Sequence, residues 1–339
     1  MRYLIAGLVV AAGSLALPAI AAAPQGLIVF TRVVDGDDRE VFVVRPDGSG
    51  LTRLTDDEIG ESAPVLSPDR RLIASGSEEE LVIHTVAGRL HRRISVPVEG
   101  DVTEPRWSPS GRTVAFLVES CSDDEDTVPR TCADLWVARP DTGERRRLVV
   151  AGVSTLDRVA AYSWSPSGGS LVFERYGRRG LVLVDAVTGR TRVVRGTTQR
   201  ASSDPSWSRR SIAFVRQRGA FMGYDVYSVR SDGRRLRRLA RARSATRPVW
   251  SPNGRRLAFL DFAGDLPQNR WRVTVVRSDG SGLRRVGVAT SDQTLDWSPS
   301  GSHLLWQTAD GRLLVGRADG RDRPRTLARG SLADWRSLP

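Results

Sequence analysis

The stretch Trp250-Ser251-Pro252-Asn253-Gly254-Arg255-Arg256-Leu257-Ala258-Phe259 constrains this chain more than any other. It reads as the end of one strand, a tight Pro- and Gly-driven reversal, and the start of the next strand. Variants of it recur along the whole sequence, and a four-part unit can be followed seven times. The unit opens with a short segment ending at a marker residue and a Ser-Pro-x-Gly turn. An apolar strand of the Leu-Ala-Phe type follows, then a second apolar strand that often precedes Asp-Gly, then a basic strand such as Arg-Arg-Leu. The markers are Leu66, Trp107, Trp164, Trp207, Trp250, Trp297 and Trp335, spaced by 41, 57, 43, 43, 47 and 38 residues. The long interval holds an insertion with both cysteines.

Four short strands in a period of about 40–47 residues is the spacing of a β-propeller blade. Runs such as Leu181-Val182-Leu183-Val184 are apolar on both faces, as strands sandwiched between neighbouring sheets must be. The ring closure is also readable. The repeats begin with a second, third and fourth strand at Leu27 to Thr55, and they end with an isolated first strand at Leu332-Ala333-Asp334-Trp335. Joining the two completes one blade. The expectation is an all-β, seven-bladed propeller closed by both termini, with six blades the alternative if the weak copy at Leu66-Ser67-Pro68 is misread. Each marker ring is expected to fill the wedge between adjacent blades, and each Asp-Gly pair to make a hairpin turn rather than a calcium loop.

The Trp-Ser-Pro-x-Gly-x-x-Leu-Ala-Phe units resemble the repeats of TolB-like propellers, a WD-repeat-like family common in exported bacterial proteins. Full copies stand at 107, 164, 250 and 297, while Leu66 and Trp207 lead shortened versions without the turn glycine. The resemblance spans residues 27–337 and implies a propeller, but its motif says almost nothing about activity. TolB itself carries an additional α/β domain before its propeller; here the first strand follows directly on an apolar leader.

That leader sets the compartment. Arg2 precedes a run from Leu4 to Leu17 that is apolar apart from Ser14 and two glycines, then Pro18 and the small-x-small pattern Ala19-Ile20-Ala21. This is the pattern of a secretory signal peptide over residues 1–21, cut after Ala21 or Ala23, with residues 22–339 one propeller domain. An uncleaved anchor is the alternative, although the run is short for a spanning helix. The expected location is the periplasm, cell surface or medium, with no membrane span once the signal is removed. In such a compartment Cys121 and Cys132 are expected to close a loop disulfide rather than remain free thiols.

All 51 basic side chains are arginine, for a net charge of +12. The absence of lysine reads as compositional bias rather than as a face for a specific nucleic acid. The fourth strands carry Arg92-Arg93, Arg145-Arg146-Arg147, Arg234-Arg235, Arg237-Arg238 and Arg284-Arg285, where charge protects outer edges. Attraction for anionic polymers or lipid headgroups is the second reading.

Strand order places the stereotyped turns on one face and the variable loops on the other, where binding usually resides. The variable face is acidic in the first half of the chain, from Asp35 through Glu61, Glu78–Glu80 and Glu104 to Asp126. A solvated face, a cationic partner and a weak divalent-ion site all fit that pattern. Residues just before each marker are expected to line the channel mouth, which singles out Glu61, Glu104, Tyr162, Asp204, Arg247 and Asp296 as candidate binding residues.

No Gly-x-Ser-x-Gly elbow is present, and the three histidines, His84, His91 and His303, have no metal-ligand spacing. No catalytic residue, cofactor or metal is therefore expected. The leading expectation is an exported, monomeric, non-catalytic scaffold that binds a protein, a peptide or a cell-envelope glycan. The alternative is a carboxylate-dependent hydrolase acting on a polysaccharide, which needs two acids roughly 5–10 Å apart.

Overall fold

The computed structural model describes residues 26–34, 38–57, 59–119, 133–150, 159–175, 179–219, 223–264, 270–291 and 294–335. The leader, Cys121 and Cys132 lie outside the described residues. The described strands form seven four-stranded antiparallel sheets, as the marker spacing predicts. The first strands are Ser331–Asp334 in blade 1, Ser62–Leu66 in blade 2, Asp101–Trp107 in blade 3 and Val159–Trp164 in blade 4. Ser202–Trp207, Ala245–Trp250 and Leu295–Trp297 follow in blades 5 to 7. Blade 1 is completed by both ends of the chain: Ser331–Asp334 pairs antiparallel with Ile28–Val33, with Val29 opposite Asp334 and Thr31 opposite Ser331. No helix among the described residues is long and apolar enough to cross a membrane.

Packing explains the apolar runs. The second strand of blade 3, Val114–Glu119, is buried at five consecutive positions because one face meets blade 2 and the other meets blade 4. The marker rings fill the wedges. Trp250 packs with Leu257 and Phe259 of its own blade against Ala213, Val215 and Val226 of blade 5. Trp297 bridges blades 6 and 7 in the same way, and Trp335 bridges blades 7 and 1.

Polar groups then stitch the inner ring. The indole N–H of Trp107 donates to Val65 O (3.1 Å), that of Trp164 to Arg106 O (2.9 Å) and that of Trp297 to Val249 O (2.9 Å). Each acceptor is the residue before the marker of the preceding blade. Four side chains at that same position accept the next marker's backbone N–H. Ser163 takes Trp207 N, Ser206 takes Trp250 N, Asp296 takes Trp335 N and Asp334 takes Leu66 N. Aspartate thus stands at the two interfaces that close the ring.

The outer ring is stitched by arginine. A guanidinium on the fourth strand reaches a backbone carbonyl in a turn of the next blade at six interfaces. Arg92 bonds Asp141 O, Arg146 bonds Ala186 O, Arg192 bonds Ser231 O, Arg237 bonds Ser278 O, Arg284 bonds Asp319 O and Arg325 bonds Pro46 O. Edge protection is therefore an incomplete account of these arginines, because they also tie neighbouring blades together. Each bond is solvent-accessible and contributes on the order of 1 kcal/mol at most.

The turns follow their sequence, with one revision. In the Ser-Pro-x-Gly turns the serine Oγ accepts a backbone N–H five residues on, as at Ser108 from Thr113 and Ser251 from Arg256. The copy after Leu66 has the same length and the same bond, Leu72 N to Ser67 Oγ, with Arg70 at φ +59° where the other copies place glycine. A left-handed arginine is strained by about 1–2 kcal/mol. Arg70→Gly is therefore expected to raise stability by about 0.5–1 kcal/mol once the greater freedom of glycine in the unfolded chain is subtracted. Urea denaturation checks this, and a destabilised variant would contradict it. After Trp207 the turn is two residues shorter: Trp207 pairs with Ile212, where Trp250 pairs with Leu257.

The Asp-Gly pairs make hairpin turns, with the glycines at 48, 233, 280, 311 and 320 at φ +85°, +84°, +88°, +76° and +65°. Their carboxylates are used inside the turns. Asp47 and Asp279 are held below the usual carboxylate range by the hydroxyl and backbone N–H of Ser49 and Ser281, and Asp232 is held there by Arg234 N–H. A folded value below the unfolded one of about 3.9 means that these groups stabilise the fold above about pH 4, and that the contribution is lost as pH falls. Thermal midpoints are expected to decline between about pH 5 and pH 2, and a flat profile would contradict this.

Candidate functional site

A cavity of about 360 Å³ occupies the channel between the first strands of blades 3 to 7. Its wall is shaped by a repeated irregularity. The first strands of blades 2, 3, 5 and 6 each carry one extra residue relative to their neighbours, between Ser62 and Val65, Thr103 and Arg106, Ser203 and Ser206, and Thr246 and Val249. Within each bulge the residue three before the marker is left-handed: Ala63 at φ +49°, Glu104 at +46°, Asp204 at +51° and Arg247 at +47°. Proline follows in these four (Pro64, Pro105, Pro205, Pro248), whereas the same bulge in blade 1 has Leu332 at φ +50° followed by Ala333. Proline has no N–H to lose from the ladder, so it suits the interrupted position, and a bulge re-aims the side chain beside it. The motif Ser/Thr-x-Pro-x-Trp/Leu is the sequence signal for this ring of positions.

Five of the six candidate residues line the channel: Glu104, Tyr162, Asp204, Arg247 and Asp296. Glu61 does not. It lies five residues before its marker, is fully buried, and its Oε1 stands 3.2 Å from Nδ1 of His84, itself buried on the third strand of blade 2. Burial beside His84 removes Glu61 from the channel mouth. Neither Glu61 oxygen has a hydrogen-bond donor with good geometry.

The channel acids are engaged as structural acceptors. Asp204 Oδ2 receives the Thr246 hydroxyl (2.7 Å) and Arg247 N–H (3.0 Å) from the next blade. Asp204 N–H in turn donates to Glu174 of the preceding blade at 3.1 Å. Asp296 is buried and takes Trp297 N–H on Oδ1 (2.8 Å) and Trp335 N–H on Oδ2 (3.0 Å). Glu104 pairs with Arg106 at 3.0 Å. Burial opposes the charge on that guanidinium, yet Glu104 and the further negative groups around it hold Arg106 above its usual range.

Tyr162, a candidate binding residue, is 1% exposed and so cannot offer its ring to a ligand. Its hydroxyl bonds Ala115 O at 2.8 Å, and the Arg106 guanidinium lies 5.2 Å from its ring centroid. Arg247 differs from the acids: among the described residues its half-buried side chain has no ion pair or hydrogen bond, and it lines the cavity. Among the described residues no group of three His, Cys, Asp or Glu could hold a metal ion.

No family model matches the sequence. The fold is nonetheless similar to solved propellers. TolB from Acinetobacter baumannii is similar at a TM-score of 0.55 and 14% identity, over 90% of this chain and 80% of that one. A putative TolB from Agrobacterium tumefaciens gives 0.54 at 19% identity, over 81% and 94%. An oligogalacturonate lyase from Vibrio parahaemolyticus gives 0.61 at 13% identity, over 91% and 87%. At these identities the likeness is one of fold: the chain is a seven-bladed β-propeller similar to TolB and to a propeller enzyme.

Proposed function

We propose that this chain is an exported, non-catalytic binding scaffold whose channel accepts an acidic group from a protein or peptide. The observation that carries the reading is the division of labour in the channel wall. Its carboxylates are engaged in bonds within and between blades, while the Arg247 side chain lines the cavity with no ion pair or hydrogen bond among the described residues. A guanidinium is built to grip a carboxylate through two parallel N–H donors, and it does so most strongly where the site is partly dry. The cavity volume falls within the range of small-ligand pockets, enough for an anchoring side chain or a chain terminus.

A carboxylate-dependent hydrolase needs one acid free to donate a proton and another free to attack or activate water. Engaged carboxylates and a buried Tyr162 do not favour it. The similarity to TolB structures supports an exported location, as does the leader pattern, and the scaffold is proposed to act as a monomer.

Selection of a displayed random-peptide library on the immobilised mature protein tests the reading. Peptides carrying Asp, Glu or a free C-terminal carboxylate are expected to be enriched on the wild type and not on Arg247→Ala. Recovery of the same peptides on both proteins would overturn it.

A further inference from the structure

The two residues missing from the turn after Trp207 have a structural consequence. Elsewhere the turn glycine of one blade covers the proline or serine of the turn before it. A Cβ on Gly111 would meet Pro68, one on Gly168 would meet Pro109, and one on Gly301 would meet Pro252. Blade 5 turns through Ser208-Arg209-Arg210-Ser211 with no such glycine, beside the Ser165-Pro166-Ser167 turn of blade 4, where Ser165 is buried and Ser167 exposed. A groove opens there, with a volume of about 520 Å³.

It runs outward from Trp207, past Ser165, Ser167 and Asp185, to Arg190 and the Arg192–Ser231 bond that closes its outer end. Spanning the four strands of blade 4, it is about 14 Å long by strand spacing.

Trp207 is the unusual marker. The other five tryptophan markers are at most 7% exposed, whereas Trp207 is only half-buried. Among the described residues its indole N–H makes no bond to the preceding blade of the kind seen at Trp107, Trp164 and Trp297. The same ring therefore presents apolar surface to the groove.

The rest of the lining is hydroxyl and charge. Asp185 Oδ1 takes the N–H groups of Val187 and Thr188 together with the Thr188 hydroxyl, which fixes the carboxylate, and among the described residues Oδ2 has no donor. Arg190 is exposed and has no ion pair among the described residues.

We propose that this groove is a carbohydrate-binding site, distinct from the channel, that takes a short linear oligosaccharide. A sugar ring offers an apolar C–H face to an indole and a rim of hydroxyls that both donate and accept. An indole beside a fixed carboxylate, serine hydroxyls and a guanidinium, along an elongated cleft, is complementary to that chemistry. A peptide would look for apolar side-chain pockets, and beyond Trp207 the only large apolar residue of the lining is the buried Leu183.

Isothermal titration with cellotetraose, chitotetraose and tetragalacturonate tests the proposal. At least one is expected to bind the wild type, to bind Trp207→Phe nearly as well, and to bind Trp207→Ala about threefold to tenfold more weakly, the worth of one aromatic contact. A second variant replaces Arg209–Ser211 with Pro-Asn-Gly-Arg-Arg, the turn of blade 6. It should fill the groove and abolish binding without lowering the thermal midpoint, while Arg247→Ala should bind the sugar as the wild type does. Failure of all three sugars to bind would overturn the proposal. So would binding that survives the lengthened turn or is lost in Arg247→Ala, since Trp207 also touches the channel.

Discussion

Replacing Trp250 with alanine is expected to cost about 3–5 kcal/mol of stability, measured by urea denaturation. The ring is 7% exposed and stands between blades 5 and 6, where neither blade can collapse onto the space without breaking its own ladder. An aromatic side chain of this size buries on the order of 200 Å², consistent with that loss at about 25 cal/mol per Å². Trp250 and Trp297 should part company when changed to phenylalanine. The Trp297 N–H donates to Val249 O, whereas the buried Trp250 N–H has no acceptor among the described residues. Trp297→Phe gives up a hydrogen bond in addition to volume, while Trp250→Phe removes an orphaned donor, so the first should be the more damaging by about 1–2 kcal/mol. Equal losses would contradict this account of the inner ring.

The second large effect is expected at Asp296. Its two oxygens hold two buried backbone N–H groups, and one of these, on Trp335, directly follows the strand that completes blade 1. Asp296→Ala leaves both donors unpaired and should cost about 2–5 kcal/mol. Asp296→Asn keeps one acceptor oxygen and should cost roughly half as much. Hydrogen exchange should locate the damage at residues 331–335 and their partners at 28–33. A loss below about 0.5 kcal/mol would place Asp296 outside the structural ring and return it to the list of binding candidates.

The architecture was legible because its signals are local and periodic. A tryptophan before Ser-Pro-x-Gly marks a wedge and a reversal in the same few residues. An unpaired first strand at one end and an unpaired second strand at the other have a single common solution. The site was less legible because side-chain direction depends on register. Glu61 and Glu104 are the same residue type shortly before a marker, yet one is buried beside His84 and the other lines the channel. The difference is distance from the bulge: Glu104, Asp204 and Arg247 lie three residues before their markers and Glu61 lies five. The x-Pro step inside the first strand carried that information. The arginine ties between outer strands were not legible at all, because the reach of a guanidinium to a carbonyl about 40 residues away depends on how blades stack, not on spacing along the chain.

The measurement that most directly tests the channel as a binding site is a paired one. Arg247→Ala and Asp204→Ala would each be examined for thermal midpoint and for affinity toward an acid-bearing peptide selected on the wild type. Asp204 ties blades 5 and 6 through Thr246 and Arg247 N–H, whereas the Arg247 side chain ties nothing among the described residues. The account predicts that Arg247→Ala keeps its midpoint and loses affinity by about tenfold to a hundredfold, the worth of a charge-assisted bond, while Asp204→Ala loses midpoint. An Arg247→Ala protein that melts early and binds normally would contradict it.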